Sequence, residues 1–353
     1  MADAIALEPN LPAPTPPGPA GRRLRRGGTT WFVLSKIGAS LLSLLFIAIF
    51  NFFLFRVLPG DPAKILTRNH AVPPERIAEL RHEFGLDQPL WQQFFTYMGN
   101  LLHGDLGISF KYRQPVTTVI ADRIWPTIWL VGISTILSTV IGLWIGIRAA
   151  WRRDGTFDRV STGVGLTLYS MPEFWLGMIL ILVFANGWGP IPGIFPTSGL
   201  IDADVNPASI QGVLNVAYHL VLPVTTLTLA YLAEYSLVMR SSLLDEMGED
   251  YLLTARAKGL RDDDVRRKHA VPNALLPSFT LSVLYLGFVL SGAITIETVF
   301  SIPGLGLLSY EALKVPDFPV LEGVFLLFSA GVIVANLIAD LCYPLLDPRV
   351  RPA

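Results

Sequence analysis

Long apolar runs without charged residues alternate with polar stretches along the chain. A helix needs about 20 predominantly apolar residues to cross the hydrocarbon core of a membrane. Six segments reach that length, and we predict spans at residues 31–57, 125–150, 160–186, 216–239, 274–296 and 320–346. The pattern therefore predicts an all-α integral membrane protein with six transmembrane helices.

The composition agrees with this prediction. The chain is 52% hydrophobic and 16% charged over its 353 residues, whereas soluble domains carry about 25% charged residues. The formal net charge is −1, which gives no indication of nucleic acid as a partner. Membrane lipid is the partner that the composition indicates.

Lysine and arginine residues decide the predicted orientation. They cluster in alternate loops, at residues 22–26, 148–159, 240–268 and 349–351. The opposite short loops hold none at 187–215 and only Lys314 at 300–319. Because basic residues favour the cytoplasmic side, both termini and the loop 241–273 are predicted to be cytoplasmic.

The spans divide the chain into parts of different character. Residues 1–30, rich in proline and arginine, are predicted to form a disordered cytoplasmic tail before the first transmembrane helix, 31–57. Residues 58–123 are predicted to be an extracytoplasmic insertion, in which PPERIAELRHEFGL and WQQFFTYMGNLL favour short amphipathic helices. Residues 124–353 hold the other five transmembrane helices, and their loop 187–215 is predicted to be irregular because glycine and proline punctuate it.

The loop 241–273 is the most polar stretch of the chain. Residues 250–258 favour a helix, and Gly259 can adopt the left-handed conformation that ends one. A second short helix is predicted to follow, with an aspartate at its start as the cap: Asp262, Asp263 or Asp264. Pro272 is expected to bend or stop this second helix.

Small residues in this loop can let another protein approach closely. Ala255, Ala257 and Gly259 are the candidates for such a contact surface. The alternative is a solvated basic loop that only enforces the membrane topology. The residue pattern alone leaves these two interpretations equal.

A sequence motif lies in the same loop, where residues 251–277 read YLLTARAKGLRDDDVRRKHAVPNALLP. It resembles the cytoplasmic signature loop of permeases from binding-protein-dependent ABC importers, with Gly259 as the central glycine. Leu253, Thr254 and His269 depart from the general pattern of that family. The loop is similar instead to the variant of the dipeptide/oligopeptide/nickel branch, T-A-R-A-K-G-L followed by H-x-x-x-N-A-x-x-P.

Short strings along nearly the whole chain are also similar to that branch, and only residues 1–30 have no counterpart. They stand in the same order and spacing: LPGDP at 58–62, GLDQPL at 85–90, GDLG at 104–107, QPV at 114–116, MPEFWLG at 171–177, ETVF at 297–300, PGLG at 303–306, DFPV at 317–320 and LDPR at 346–349.

The resemblance implies a fold of the type I ABC importer permease and a place in the prokaryotic inner membrane. It implies that the chain forms half of a path for peptides, metal chelates, glutathione or oligosaccharides. The expected partners are a second homologous permease, which could be a different chain or a second copy, two cytoplasmic ATPase subunits and an extracytoplasmic substrate-binding protein. The residues expected to form the ATPase-coupling loop are Tyr251, Thr254, Ala255, Arg256, Ala257, Lys258, Gly259, Leu260, His269, Pro272 and Asn273.

ATP and magnesium are expected in the partner ATPase subunits. This chain lacks the G-x-x-x-x-G-K-[ST] loop that binds nucleotide phosphates, so we predict no enzyme activity and no cofactor of its own. Its histidines do not cluster at metal-ligand spacing. An ATP-independent secondary transporter or channel is the alternative function, and it predicts more spans or an internal repeat.

Polar residues within the predicted spans are candidates for the transport path. Glu234 either lines that path or has a structural role, paired with the neighbours within reach: Tyr235, Ser236 and Arg240. Asn336 and Asp340 lie one helical turn apart, where hydrogen bonds between helices are the favoured interpretation. Glu173 and Glu297 lie near span ends, where water is expected to reach a carboxylate.

Overall fold

The computed structural model describes residues 29–57, 87–288 and 294–346, together with positions 73, 75, 78, 79 and 82. These residues are mainly helical. The α-helices are α1 Thr29–Val57, α2 Leu90–Leu102, α3 Val116–Trp151, α4 Thr156–Ser170, α5 Glu173–Leu180, α6 Ile210–Glu246, α7 Asp250–Ala257, α8 Asp262–Val265, α9 Val271–Phe288, α10 Ile294–Val299, α11 Leu305–Lys314 and α12 Phe318–Leu346. Two π-helical turns follow α5 and α8, at Ile181–Ala185 and Arg266–Ala270, and two short strands form one hairpin, β1 Gly187–Trp188 and β2 Ile191–Pro192.

Four helices of the described residues are long and apolar enough to cross a membrane: α1, α3, α6 and α12. The pair α4 and α5 is a fifth candidate, although its two parts are bent by 104°. These helices correspond to five of the six predicted spans. The remaining predicted span, 274–296, contains residues 289–293, which lie outside the described residues.

The prediction of one continuous span over 160–186 is wrong. The helix stops at Ser170 and starts again at Glu173, because Met171 is extended at φ −82° and ψ 133°. Pro172 explains the break, since a proline lacks the amide hydrogen and disfavours helical geometry at the preceding residue.

Two spans are longer than predicted. The helix α3 begins nine residues before the predicted 125, directly after Pro115, and α6 extends beyond 216–239 at both ends. Both helices pass through an internal proline, Pro126 and Pro223. At the start of α6 the hydroxyl of Ser209 accepts a hydrogen bond from the amide of Gly212 at 3.0 Å, which caps the helix.

The helices α3 and α6 form the most extensive helix pair in the described chain. Two glycines one turn apart on α3, Gly142 and Gly146, allow their backbones to approach closely. A Cβ on Gly142 would lie 2.6 Å from the Cβ of Tyr235, and one on Gly146 would lie 2.6 Å from the carbonyl oxygen of Ser236. Small residues spaced four apart are a common means of close helix packing in membranes.

Ion pairs and hydrogen bonds connect α1 to α12. Arg56 pairs with the buried Glu322 at 2.5 Å, and Asn51 donates to the carbonyl oxygen of Glu322 at 2.8 Å. Toward the other end of the pair, Lys36 lies 2.8 Å from Asp340. The first predicted span therefore packs against the last.

Between the first two spans, the predicted amphipathic helix at 91–102 is present as α2. Its Phe94 packs against Phe52 of α1, with ring centroids 5.3 Å apart. Most of the segment 73–86 lies outside the described residues, as do residues 1–28 of the predicted tail. The loop 187–215 is largely irregular, as predicted, apart from the β1–β2 hairpin and residues 210–215, which begin α6.

Candidate coupling loop and membrane path

The loop between α6 and α9 contains the predicted helix, glycine break and second helix. The helix α7 ends before Gly259, whose φ of +80° lies in the left-handed region that favours glycine. The predicted aspartate cap of α8 is wrong, because Arg261 occupies the cap position. The three aspartates form the first turn of α8 instead, where the helix dipole favours negative charge.

Of the two predicted effects of Pro272, bending or stopping the second helix, the stop is wrong. The π-helical turn Arg266–Ala270 runs directly into α9, and Pro272 lies in the first turn of that helix. A proline is tolerated in a first turn, and the wider π turn changes the hydrogen bonding just before it. The loop is thereby joined to α9 without a gap.

One face of the loop is buried against the long helices. Leu252, Val265 and Ala270 are fully buried and pack with Met239 and Leu243 of α6. Ala255 is 6% exposed and belongs to the same cluster. The prediction that Ala255 offers a contact surface to another protein is therefore wrong, since the small side chain serves the packing of the loop itself.

The opposite face is exposed. It includes two large apolar side chains, Leu253 at 67% and Leu260 at 39% exposure. The other predicted loop residues on this face are Thr254, Arg256, Ala257, Lys258 and Gly259. An exposed apolar pair among polar neighbours is typical of a protein interaction site.

Three predicted loop residues meet at the base of α7. The Tyr251 hydroxyl donates to a Glu246 carboxylate oxygen at 2.5 Å and accepts from the Asn273 side-chain amide at 2.8 Å. It also lies 3.4 Å from the carbonyl oxygen of His269. Partial burial, followed by the bond to Glu246, raises the pKa of Tyr251. These contacts join α6, α7 and α9.

A second connection joins the loop to α3, and sequence reasoning missed it. The indole Nε1 of Trp151 donates to Asp262 at 2.8 Å. The Arg256 guanidinium lies 6.0 Å from the Trp151 ring centroid and 3.6 Å from Asp262. No local pattern signals a contact between residues 111 positions apart.

A bidentate ion pair joins α4 to α6 near this loop. Arg240 donates from Nε and Nη2 to the two carboxylate oxygens of Asp158, at 2.6 and 2.9 Å. The Asp158 side chain is only 3% exposed. Arg240 was one of the partners predicted for Glu234, and that prediction is wrong because Asp158 holds its guanidinium.

Glu234 is bonded instead to a distant helix. It accepts a hydrogen bond from the hydroxyl of Tyr285 on α9. The Tyr285 ring packs against Tyr231, with centroids 4.9 Å apart, and against Tyr235 at 5.7 Å. Glu234 is therefore half-buried at a cluster of tyrosines between α6 and α9.

The two candidates on α12 differ in their surroundings. Asp340 pairs with Lys36 of α1, which bears out the expected contact between helices. Asn336 is exposed and makes no hydrogen bond to any described residue. The structure does not bring either of them to Glu234.

Glu297 is not near water, contrary to the expectation for a span end. It is fully buried. Its oxygens accept hydrogen bonds from the Thr127 hydroxyl at 2.7 Å and from the Leu307 amide at 2.9 Å. The carboxylate thus satisfies an amide in the first turn of α11, which makes it a structural group.

Comparisons with known proteins agree with this architecture. Residues 118–352 match the family described as "Binding-protein-dependent transport system inner membrane component". Residues 29–131 match the description "Binding-prot-dependent transport system membrane comp, N-term".

Several curated proteins are similar over almost their whole length. The dipeptide transport system permease protein DppB of Escherichia coli (strain K12) is 39% identical over 334 residues, covering 91% of this chain and 98% of that protein. The di/tripeptide transport system permease protein DppB of Pseudomonas aeruginosa (strain UCBPP-PA14) is 36% identical over 330 residues, with the same coverage. The glutathione transport system permease protein GsiC of Salmonella choleraesuis (strain SC-B67) is 37% identical over 320 residues, again with 91% and 98% coverage.

These matches confirm the prediction that the chain is a permease subunit and not an enzyme. The chain belongs to the family of inner membrane components of binding-protein-dependent transport systems.

Proposed function

We propose that this chain forms half of the translocation path of an ATP-driven importer and transmits the ATPase cycle through the exposed face of residues 250–260. A second homologous permease completes the path. Two cytoplasmic ATPase subunits bind ATP and magnesium, and an extracytoplasmic binding protein delivers the substrate. The substrate class is di- or oligopeptides or a related small solute, in line with the similarity to dipeptide, di/tripeptide and glutathione permeases.

The proposed topology has six spans with both termini in the cytoplasm. Five spans correspond to α1, α3, the bent pair α4–α5, α6 and α12. The sixth starts with α9 and continues through the uncharged residues 274–296. This arrangement puts residues 58–123 outside the cell and the loop 241–273 in the cytoplasm, in agreement with the distribution of basic residues.

The proposal rests on one observation, which is that the loop has a buried face and an exposed face. Its buried face packs on α6, and Trp151 connects it to α3. Its other face exposes Leu253 and Leu260. A partner that binds this face and moves it would therefore displace the long helices, because packed elements move as units.

The proposal is tested on the assembled transporter. We expect Leu253→Asp to reduce co-purification of the ATPase subunits and the ATPase stimulation by loaded binding protein, because a charge replaces an exposed apolar contact. Gly259→Val should act in the same direction, because a β-branched residue is strained at a φ of +80°. Gly248→Ala is the control in the same loop, where a new Cβ meets only one atom, at 3.4 Å.

Unchanged co-purification and stimulation in both Leu253→Asp and Gly259→Val would refute the assigned role of the loop. Uptake by the wild-type chain without ATP and without ATPase subunits would favour the ATP-independent transporter instead.

A further inference from the structure

Two carboxylates in predicted spans lack a positive partner within the described part of the chain. Glu234 accepts a hydrogen bond only from the neutral hydroxyl of Tyr285. Glu173, in the first turn of α5 just after the break in that span, has no ion pair or hydrogen bond to its side chain among those residues. Carboxylates at membrane depth are costly unless they are neutralised, and they usually mark functional sites.

One tyrosine, Tyr231, lies within electrostatic range of both Glu173 and Glu234. Its ring packs on that of Tyr285, and Tyr235 adds a third ring. Tyr235 is fully buried. Negative charge and aromatic faces together form an environment that attracts cations.

An open apolar groove adjoins this cluster. It has a volume of about 510 Å³ and is lined by Val238, Leu276, Pro277, Thr280 and Leu281. Val238 lies four residues after Glu234 on α6, and Leu281 lies four residues before Tyr285 on α9. Residues four apart share a helix face, so the helix faces that carry Glu234 and Tyr285 continue into the groove.

We infer that this groove and its carboxylates bind the amino-terminal ammonium group of a peptide during translocation. The ammonium would pair with Glu234 and contact the tyrosine rings. The charge of Glu173 would add to the attraction. The apolar groove would hold an adjoining uncharged side chain. The inference rests on the proposed function and gives it a substrate class, small peptides with a free amino terminus.

A basic side chain from the second permease is the competing occupant. It would neutralise the same carboxylates permanently and join the two halves. The two occupants differ in their consequences, because losing a substrate contact lowers transport while losing an interface contact lowers assembly.

The test uses the complete transporter in proteoliposomes, with saturating loaded binding protein and ATP on the side of the ATPase subunits. The probe is labelled dialanine with a free amino terminus. We expect Glu234→Gln to lower uptake per ATP hydrolysed by about tenfold, the scale of one charge-assisted hydrogen bond. Glu234→Asp keeps the charge and should retain most uptake. Asp340→Asn is the matched control, since that carboxylate has its own partner, Lys36.

Co-purification of the second permease and the stimulated ATPase rate are measured on the same samples. Co-purification should be unchanged in Glu234→Gln, and the ATPase rate of each sample serves to normalise its uptake. Equal uptake by Glu234→Gln and wild type would overturn the inference, and so would loss of the second permease from that variant. A wild-type assembly that hydrolyses ATP without taking up dialanine would overturn the peptide class alone, whereas one that fails to bind ATPase subunits would overturn the proposed function.

Discussion

Replacing Gly142 by alanine should destabilise the protein, although alanine is the better helix former. A Cβ at this position would lie 2.6 Å from the Cβ of Tyr235 and 2.9 Å from the carbonyl oxygen of Leu232. Ordinary carbon contacts are about 3.5–4.0 Å, so α3 and α6 would have to separate by roughly 1 Å. The backbone oxygen cannot rotate away as a flexible side chain could.

The magnitude follows from two opposing effects. Overpacking of this kind costs about 1–3 kcal/mol, whereas exchanging glycine for alanine within a helix contributes about 1 kcal/mol of stability. Gly132 on the same helix provides the control, because a Cβ there meets nothing within 4 Å. The helix-propensity gain is common to both variants, so Gly142→Ala should be less stable than Gly132→Ala by about 1–3 kcal/mol.

Thermal unfolding of the purified chain in detergent measures this difference. Gly132→Ala should unfold at or slightly above the wild-type temperature, and Gly142→Ala below it. Gly146→Ala should behave like Gly142→Ala, because its Cβ would lie 2.6 Å from the backbone oxygen of Ser236. Equal unfolding temperatures for the Gly142 and Gly132 variants would refute the close approach of α3 and α6.

Three further predictions concern polar contacts. Arg240→Met should destabilise the chain by about 3–5 kcal/mol in the same thermal assay, because it leaves the buried Asp158 carboxylate without its partner. Asp317→Ala should increase proteolysis of the 104–115 loop, since the carboxylate accepts the Ser109 hydroxyl at 2.5 Å and two backbone amides. Burial alone would raise the pKa of Glu311, but hydrogen bonds from Tyr112 and Lys111 hold that pKa below its ordinary value of 4.5. The stabilisation from this carboxylate is therefore full above pH 4.5 and is lost as the pH falls through the lowered pKa. The free energy of unfolding should fall less steeply with decreasing pH in Glu311→Gln than in the wild type.

Much of the helical architecture could be predicted because apolar runs of sufficient length have few alternatives in a membrane. The first and last spans begin within two residues of their predicted positions. The break at Met171 was missed, since a hydropathy run through Pro172 does not distinguish a kink from a sharp bend. Pro126 and Pro223 lie inside uninterrupted helices, so proline alone does not decide the outcome.

The candidate site was predictable only in its local part. Gly259 ends α7 in the left-handed conformation that the sequence indicated. The partners of Arg240 and Glu234 were not predictable, because Asp158 and Tyr285 lie 82 and 51 residues away. Likewise, the sequence suggested that Ala255 could contact another protein. Which face of α7 is buried, however, depends on the packing of Met239 and Leu243.

The connections of the loop bear on how a movement at its exposed face would reach the membrane. Trp151 attaches the loop to the end of α3, and Tyr251 attaches it to the end of α6. The same two helices are packed backbone to backbone at Gly142 and Gly146. We therefore expect α3, α6 and the loop to move as one body, because they are in direct contact with one another.

Glu234 belongs to that body, whereas its hydrogen-bond partner Tyr285 is on α9. At a rise of 1.5 Å per residue, Glu234 lies about 18 Å along α6 from Glu246, where the loop is attached. The loop is also joined to the start of α9. A displacement of the loop would therefore change the separation of Glu234 and Tyr285, and the shape of the groove between them, if α9 bends between Asn273 and Tyr285. In this way the helices α6 and α9 can couple the position of the loop to the affinity of Glu234 for a cation.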